Sequence, residues 1–116
     1  MKPVEWVGSS RDDLRQFPEP VRQEAGHSLY LAQKGEKTLN AKPLVGFGGA
    51  KVLEVVMNED GDAYRAVYTV KFAKAVYVLH AFQKKSRKGI TTPRPDLQLI
   101  RIRLSAAAAH YETNYE

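Results

Sequence analysis

Residues 63–84, AYRAVYTVKFAKAVYVLHAFQK, decide the fold of this chain. Valine and tyrosine recur through both halves of the stretch, and such residues favour the pleated, half-buried surface of a β-sheet. Only Phe72-Ala-Lys74 separates the two halves, which is the length of a hairpin connection. The stretch therefore predicts two neighbouring antiparallel strands, at residues 63–71 and 75–84.

The segments on either side complete the predicted set of elements. A third strand is predicted at residues 51–57, because Asn58 to Asp62 is again hairpin-length. Upstream, a short strand at residues 4–7 and two helices are indicated, the second with Pro20 in its first turn. A last helix begins near Thr92-Pro93 and carries an apolar stripe: Leu97, Ile100, Leu104, Ala107 or Ala108, and Tyr111.

Residues 35–50, GEKTLNAKPLVGFGGA, are predicted to be a connecting loop because of their proline and glycines. The predicted order is thus (β)ααβββα, an α+β fold with two N-terminal helices and one C-terminal helix on a small antiparallel sheet. All 116 residues are expected to form one domain. The helices are expected on one face of the sheet, which leaves the other face open for a site.

Composition and charge restrict the function. There is no cysteine, which excludes a disulfide framework, a thiolate zinc site and a cysteine nucleophile. The sequence contains neither a secretory signal pattern nor a membrane-spanning apolar run, so a cytoplasmic protein without membrane contact is expected. Residues 63–116 hold 10 Lys+Arg against 3 Asp+Glu, whereas residues 1–62 hold 8 against 10. This basic excess in the C-terminal half favours a polyanionic partner.

Strand alternation suggests which residues form a site. Val76, Val78, His80, Phe82 and Lys84 are predicted to share one face of the last strand, which becomes polar toward its end. On the middle strand, an arginine at position 65 needs a charged partner, because an unpaired buried charge is very costly. That partner is either a substrate phosphate, held by the guanidinium fork, or Glu54 on the adjacent strand.

These residue types suit metal-independent RNA cleavage. Attack by a 2′-hydroxyl on phosphorus requires a proton acceptor, cations for the phosphorane and an acid for the leaving oxygen. His80 is suited to proton transfer near neutrality, although an isolated histidine is commonly a satisfied half-buried residue. The predicted catalytic residues are Arg65, His80 and Lys84, and the predicted RNA-binding residues are Lys51, Tyr68, Phe82, Lys85, Arg87 and Lys88.

Neither a metal nor a cofactor is expected. His27 and His110 lie on predicted helices without carboxylates at ligand spacing. For the lysines of residues 84–94, a solvated surface run is the alternative to a phosphate-binding loop. For Phe82 and Tyr68, the alternative to base stacking is a place in the core.

Residues 64–93, with the blocks YR..Y and LHAF.KK, resemble the phage-derived branch of the RelE/HigB superfamily of toxins, as do PL.GFGG..VLE and DLQLIRIRL on either side. The resemblance implies a toxin of a toxin–antitoxin pair that cleaves mRNA in the ribosomal A site. It implies a small helix-turn-helix antitoxin as partner, with oligomers formed only through that complex. By position in the motif, Arg65 and Lys84 match residues that contact the scissile phosphate. Members often have an arginine shortly after the residue matching Glu54; here Val55-Val56 follows, which leaves Lys51 as a substitute.

Two other functions fit the same sequence. A ParE-like toxin shares the fold but inhibits DNA gyrase without RNA chemistry, and a non-catalytic RNA- or ribosome-binding module would use the basic loop only as an anchor. Arg65, His80 and the Lys84-Lys85 pair favour the nuclease.

Overall fold

A computed structural model describes residues 1–49, 51–84 and 91–116. Three helices and five strands are present in these residues. In chain order they are β1 (Val4–Trp6), α1 (Ser10–Arg15), α2 (Glu19–Gln33), β2 (Ala41–Pro43), β3 (Val52–Glu59), β4 (Asp62–Thr69), β5 (Val76–Lys84) and α3 (Arg94–Tyr115). The predicted α+β class is confirmed, and the three central strands lie where the sequence predicted them to within a few residues.

The strands form one sheet in the order β1-β5-β4-β3-β2. Strands β2 to β5 pair antiparallel, whereas β1 pairs parallel with β5. The sheet is therefore mixed and larger than the small antiparallel sheet predicted from the sequence. The additional strand, β2, comes from the segment predicted to be a loop. It lies at the sheet edge, where Pro43, which has no N–H to donate, is tolerated.

The helices cover both faces of the sheet, so the prediction of one open face is wrong. On one face, α1 and α2 pack Leu14, Val21 and Leu29 over residues such as Val55 and Tyr68. On the other face, α3 packs Ile100, Ala107 and Tyr111 over Val67, Tyr77 and Leu79. Both faces of β4 and β5 carry large apolar side chains, and each face must be removed from water. A site on this sheet must therefore lie beside a helix.

A β-bulge in β5 determines which side chains face α3. Val67 pairs with His80 and Tyr68 pairs with Val78, so Leu79 is an extra residue between them. Leu79 and His80 consequently both lie on the α3 side, whereas Val76 and Val78 lie on the α1/α2 side. The predicted sharing of one face by Val76, Val78 and His80 is thus wrong.

Side chains and backbone from other elements hold the bulge. The Leu79 carbonyl accepts a hydrogen bond from Arg103 Nη1 of α3 at 3.0 Å. The Val78 carbonyl accepts bonds from the Val7 backbone N–H at 3.0 Å and from Ser10 Oγ at 3.2 Å. Because these carbonyls are satisfied from outside the ladder, the irregular pairing leaves neither of them unpaired in the interior.

None of the helices in the described ranges is both long and apolar enough to cross a bilayer.

Candidate active site

A group of polar side chains is buried between the sheet and the beginning of α3. Its members are exposed by less than a tenth: Glu54 (9%), Arg65 (4%), His80 (7%), Lys84 (7%) and Thr92 (6%). Burying a polar or charged group costs free energy unless the group is paired. Five such residues buried together in a chain of 116 residues are therefore expected to bond to one another. We refer to these five residues, together with Asp96, as the α3-side cluster.

Arg65 on β4 is paired with Glu54 on β3. Its Nη1 atom donates to Glu54 Oε1 at 2.9 Å and, more weakly, to Thr92 Oγ1 at 3.4 Å. Thr92 in turn donates to Glu54 Oε2 at 2.7 Å, so that both carboxylate oxygens accept a bond. Of the two partners that the sequence left open for Arg65, the structure shows the Glu54 ion pair. A phosphate that binds Arg65 must share it with this carboxylate.

Lys84 ends β5 beside Arg65. Lys84 pairs in register with Ala63, which lies two residues before Arg65 on β4. The side chains of Lys84 and Arg65 therefore both lie on the α3 side. Burial lowers the pKa of the Lys84 ammonium, the positive charge of Arg65 lowers it further, and Glu54 opposes the shift. Two neighbouring cations and one carboxylate leave this part of the cluster with an excess of positive charge, which suits an anionic ligand.

His80 is held by groups on both sides of its ring. Its Nε2 atom lies 2.7 Å from Asp96 Oδ1 in the first turn of α3. Its ring stacks on that of Phe82, with centroids 4.6 Å apart and planes inclined by 20°. Its Nδ1 atom is buried and has no hydrogen-bond partner among the residues that the structure describes. The cluster thus contains an oriented histidine in which Nε2 is hydrogen-bonded and Nδ1 makes no hydrogen bond to a described residue.

The structure therefore brings together four of the residues predicted from the sequence, Arg65, His80, Phe82 and Lys84. It adds three for which the sequence predicts no role in a site. The sequence predicts Glu54 only as a structural partner of Arg65 and Thr92 only as part of a helix start, and it predicts no role for Asp96. The one sequence signal for Asp96 is its place in the first turn of a helix, where an acidic residue is common for reasons of helix stability alone.

Tyr68 and Lys51 lie apart from the cluster. Tyr68 is fully buried on the α1/α2 side, where burial raises the pKa of its phenol to about 12, so a base cannot stack on its ring. Lys51 precedes the end of β3 that pairs with Thr69, whereas Lys84 lies at the opposite end of the sheet. At the usual rise of a strand the two lysines are roughly 20 Å apart. Lys85, Arg87 and Lys88 lie outside the described residues.

The other histidines and carboxylates do not build a metal site in the described ranges. No group of three or more His, Cys, Asp or Glu side chains there is placed to hold a metal ion. His110 instead shares a hydrogen bond of 2.7 Å between its Nδ1 atom and Tyr77 Oη, and His27 is exposed on α2.

Fold and site together define a small α+β protein with a buried cluster of charged and polar side chains at one end of a mixed sheet. Comparison with known families identifies it further: the profile described as Phage derived protein Gp49-like (DUF891) matches residues 12–105, more than three quarters of the chain. The chain belongs to this family, whose members are toxin-like proteins related to RelE and HigB. The predicted resemblance is confirmed at that level. A comparison with curated proteins found no match.

Proposed function

We propose that this protein is the toxin of a toxin–antitoxin pair and that it cleaves mRNA in the ribosomal A site. One observation carries the proposal: Arg65, Lys84 and His80 lie together on the α3 side of the sheet in a member of a toxin-like family. Two cations and an oriented histidine on one face of the sheet are the groups that cleavage of an RNA phosphodiester needs.

The proposed reaction is attack of a ribose 2′-oxygen on the adjacent phosphorus. The bond from phosphorus to the 5′-oxygen breaks, which leaves a 2′,3′-cyclic phosphate and a 5′-hydroxyl. His80 accepts the proton of the 2′-hydroxyl, Arg65 stabilises the charge on the phosphorane, and Lys84 donates a proton to the leaving oxygen. The lowered pKa of Lys84 makes it a stronger acid than an ordinary lysine, which supports this assignment.

The remaining predicted contacts belong to substrate binding. Phe82, stacked on His80 and only partly buried, is proposed to support a nucleobase beside the cleaved bond. Lys85, Arg87 and Lys88 are proposed to contact phosphates that flank it. Lys51 lies too far away for the cleavage centre, so its proposed role is a backbone contact at the other end of the sheet. The proposed partners are mRNA, the ribosome and a helix-turn-helix antitoxin that mediates oligomer formation, in the cytoplasm.

Primer extension after induction of the protein in growing cells tests the proposal. We expect cuts within codons of a translated message and none in the same message with its start codon removed. Lys84→Met and His80→Gln should abolish the cuts. Lys71→Met, which removes an exposed lysine charge outside the cluster, should leave them unchanged.

Other outcomes of this experiment would contradict the proposal. Intact RNA together with gyrase-linked DNA breaks would favour the ParE-like function. Growth arrest with intact RNA and intact DNA would favour a module that only binds the ribosome or RNA. Cuts that persist in both Lys84→Met and His80→Gln at equal protein levels would mean that the α3-side cluster is not the active site.

A further inference from the structure

We infer that Asp96 positions His80 with its Nε2 atom protonated, so that Nδ1 is the atom that accepts the 2′-hydroxyl proton. The inference deepens the proposed function and, for its catalytic part, rests on it. It assigns a role to Asp96 and selects one of the two nitrogens of His80.

The hydrogen bond between His80 and Asp96 determines which ring nitrogen carries the hydrogen. An ionised carboxylate has only acceptor sites, so an imidazole nitrogen that bonds to it must carry the hydrogen. Asp96 Oδ1 lies 2.7 Å from His80 Nε2, a short distance typical of a charge-assisted bond. In the neutral ring the hydrogen therefore resides on Nε2, and Nδ1 keeps its lone pair.

The other ring nitrogen of His80, Nδ1, is not the one that Asp96 bonds. It is buried, and no described residue gives it a hydrogen-bond partner. A buried polar atom without a partner lowers stability, and native structures contain few of them. The His80 side chain is more than nine-tenths buried, so the unused nitrogen is a feature of the folded site and not of a freely rotating surface residue.

Several elements of the fold hold the His80 ring in place. The bulge at Leu79 turns His80 toward α3, and Phe82 stacks on its face. Asp96 comes from the first turn of α3, and Arg103 of the same helix bonds the bulge carbonyl. The helix thus fixes both the strand that carries His80 and the carboxylate that orients it.

The proton balance follows from this arrangement. When the 2′-oxygen attacks phosphorus, its proton moves to Nδ1 and the ring becomes an imidazolium. The Nε2–H···Oδ1 hydrogen bond then becomes an ion pair, which stabilises the charge that forms on the ring. Asp96 acts only through His80 and touches no reacting atom, so it is a positioning residue.

Two measurements test the inference, and the first does not depend on activity. Long-range proton–nitrogen NMR spectra of histidine-labelled protein report which ring nitrogen carries the hydrogen, and His80→Gln identifies the relevant signals. We expect a single neutral tautomer protonated at Nε2 in the unaltered protein and a mixture of tautomers in Asp96→Ala. A His80 ring protonated at Nδ1 in the unaltered protein would overturn the inference.

The second measurement is single-turnover cleavage of mRNA on programmed ribosomes. Loss of the charge in Asp96→Asn should lower the maximal rate roughly 10- to 100-fold, the range expected for one charge-assisted hydrogen bond, with the half-saturating ribosome concentration unchanged. Glu112→Gln, which removes an exposed carboxylate from the same helix, is the matched control and should leave the rate unchanged.

The outcomes separate the inference from the function on which it rests. If the unaltered protein cleaves mRNA and Asp96→Asn cleaves it equally fast, the positioning role is wrong and the proposed function stands. If the unaltered protein leaves the message intact on ribosomes, the proposed function fails and the proton-transfer role fails with it. The tautomer measurement still decides in that case whether Asp96 orients His80.

Discussion

The buried pair of Glu54 and Arg65 leads to a quantitative prediction about stability. Arg65→Met removes the guanidinium that bonds Glu54 Oε1, whereas the hydrogen bond from Thr92 to Glu54 Oε2 can remain. Breaking a buried ion pair from one side typically costs about 3–5 kcal/mol. The loss should lie near the lower end of this range, because the positive charge of Lys84 still acts on Glu54. A domain of this size has a free energy of unfolding of about 5–15 kcal/mol, so the variant should remain folded with a lower midpoint.

A double-mutant cycle separates the pair from its surroundings. Glu54→Met should also cost about 3 kcal/mol or more, because it removes the negative charge that offsets the repulsion between Arg65 and Lys84. The double variant Glu54→Met/Arg65→Met should lose less stability than either single variant, since apolar replacement of a whole buried pair is often neutral or stabilising. Equilibrium unfolding in urea, followed by the fluorescence of Trp6, measures all four proteins.

Two results would refute this reasoning. A loss below about 1 kcal/mol in Arg65→Met would show that the pair behaves like an exposed salt bridge and is not buried in solution. Strictly additive losses in the double variant would show that the two side chains do not interact. The same measurements are a necessary control for function, because loss of toxicity in an Arg65 variant has to be distinguished from loss of fold.

Three further predictions concern stability away from the Glu54 pair. Tyr68→Phe removes a buried hydroxyl that has no hydrogen-bond partner among the described residues. Tm should therefore rise by about 4 °C, which corresponds to about 1 kcal/mol in the free energy of unfolding. A fall in Tm would indicate that the hydroxyl is hydrogen-bonded. Burial raises the pKa of Tyr68 and Tyr77 from 10.0 to about 12. Their neutral phenols therefore contribute fully to the free energy of unfolding below pH 10, and this contribution is lost as the pH rises toward 12. Urea midpoints that stay constant over this pH range would contradict the prediction. Gly26→Ala, in the exposed middle of α2, should raise stability by about 1 kcal/mol. Gly8→Ala should lower the stability, because Gly8 has a φ of +56° and an added Cβ would lie 2.8 Å from Arg103 Nε. Equal urea midpoints for Gly26→Ala and Gly8→Ala would refute the predicted difference between the two variants.

The sequence predicts the central elements because their signals are local. Period-two alternation and hairpin-length connections define β3, β4 and β5, and helical spacing places Ile100, Ala107 and Tyr111 on the buried stripe of α3. Strand β2 has three residues and is defined only by its pairing with β3, which is a tertiary contact. The covering of both sheet faces is likewise a property of packing, and the apolar residues on both sides of β4 and β5 are its one visible sign.

The candidate site was predictable only in part for the same reason. Arg65, His80 and Lys84 share a face because they lie in the regularly paired part of β4 and β5, between the bulge and Lys84. Simple alternation of side chains holds in this part. No glycine or proline near Leu79 indicates the bulge in the sequence. Simple alternation therefore predicts the wrong face of the sheet for the first half of β5. Asp96 meets His80 only because α3 packs against the sheet at this position, and sixteen residues separate the two along the chain.

If the α3-side cluster cleaves mRNA, the purified protein should cut a message that is bound to ribosomes. Ribosomes carrying a defined message with an empty A site are incubated with the protein, and the ends of the RNA fragments are mapped. We expect cuts in the A-site codon with 2′,3′-cyclic phosphate ends, which are lost in folded Lys84→Met and retained in Lys71→Met. An intact message, or equal cleavage by folded Lys84→Met and His80→Gln, would contradict this expectation.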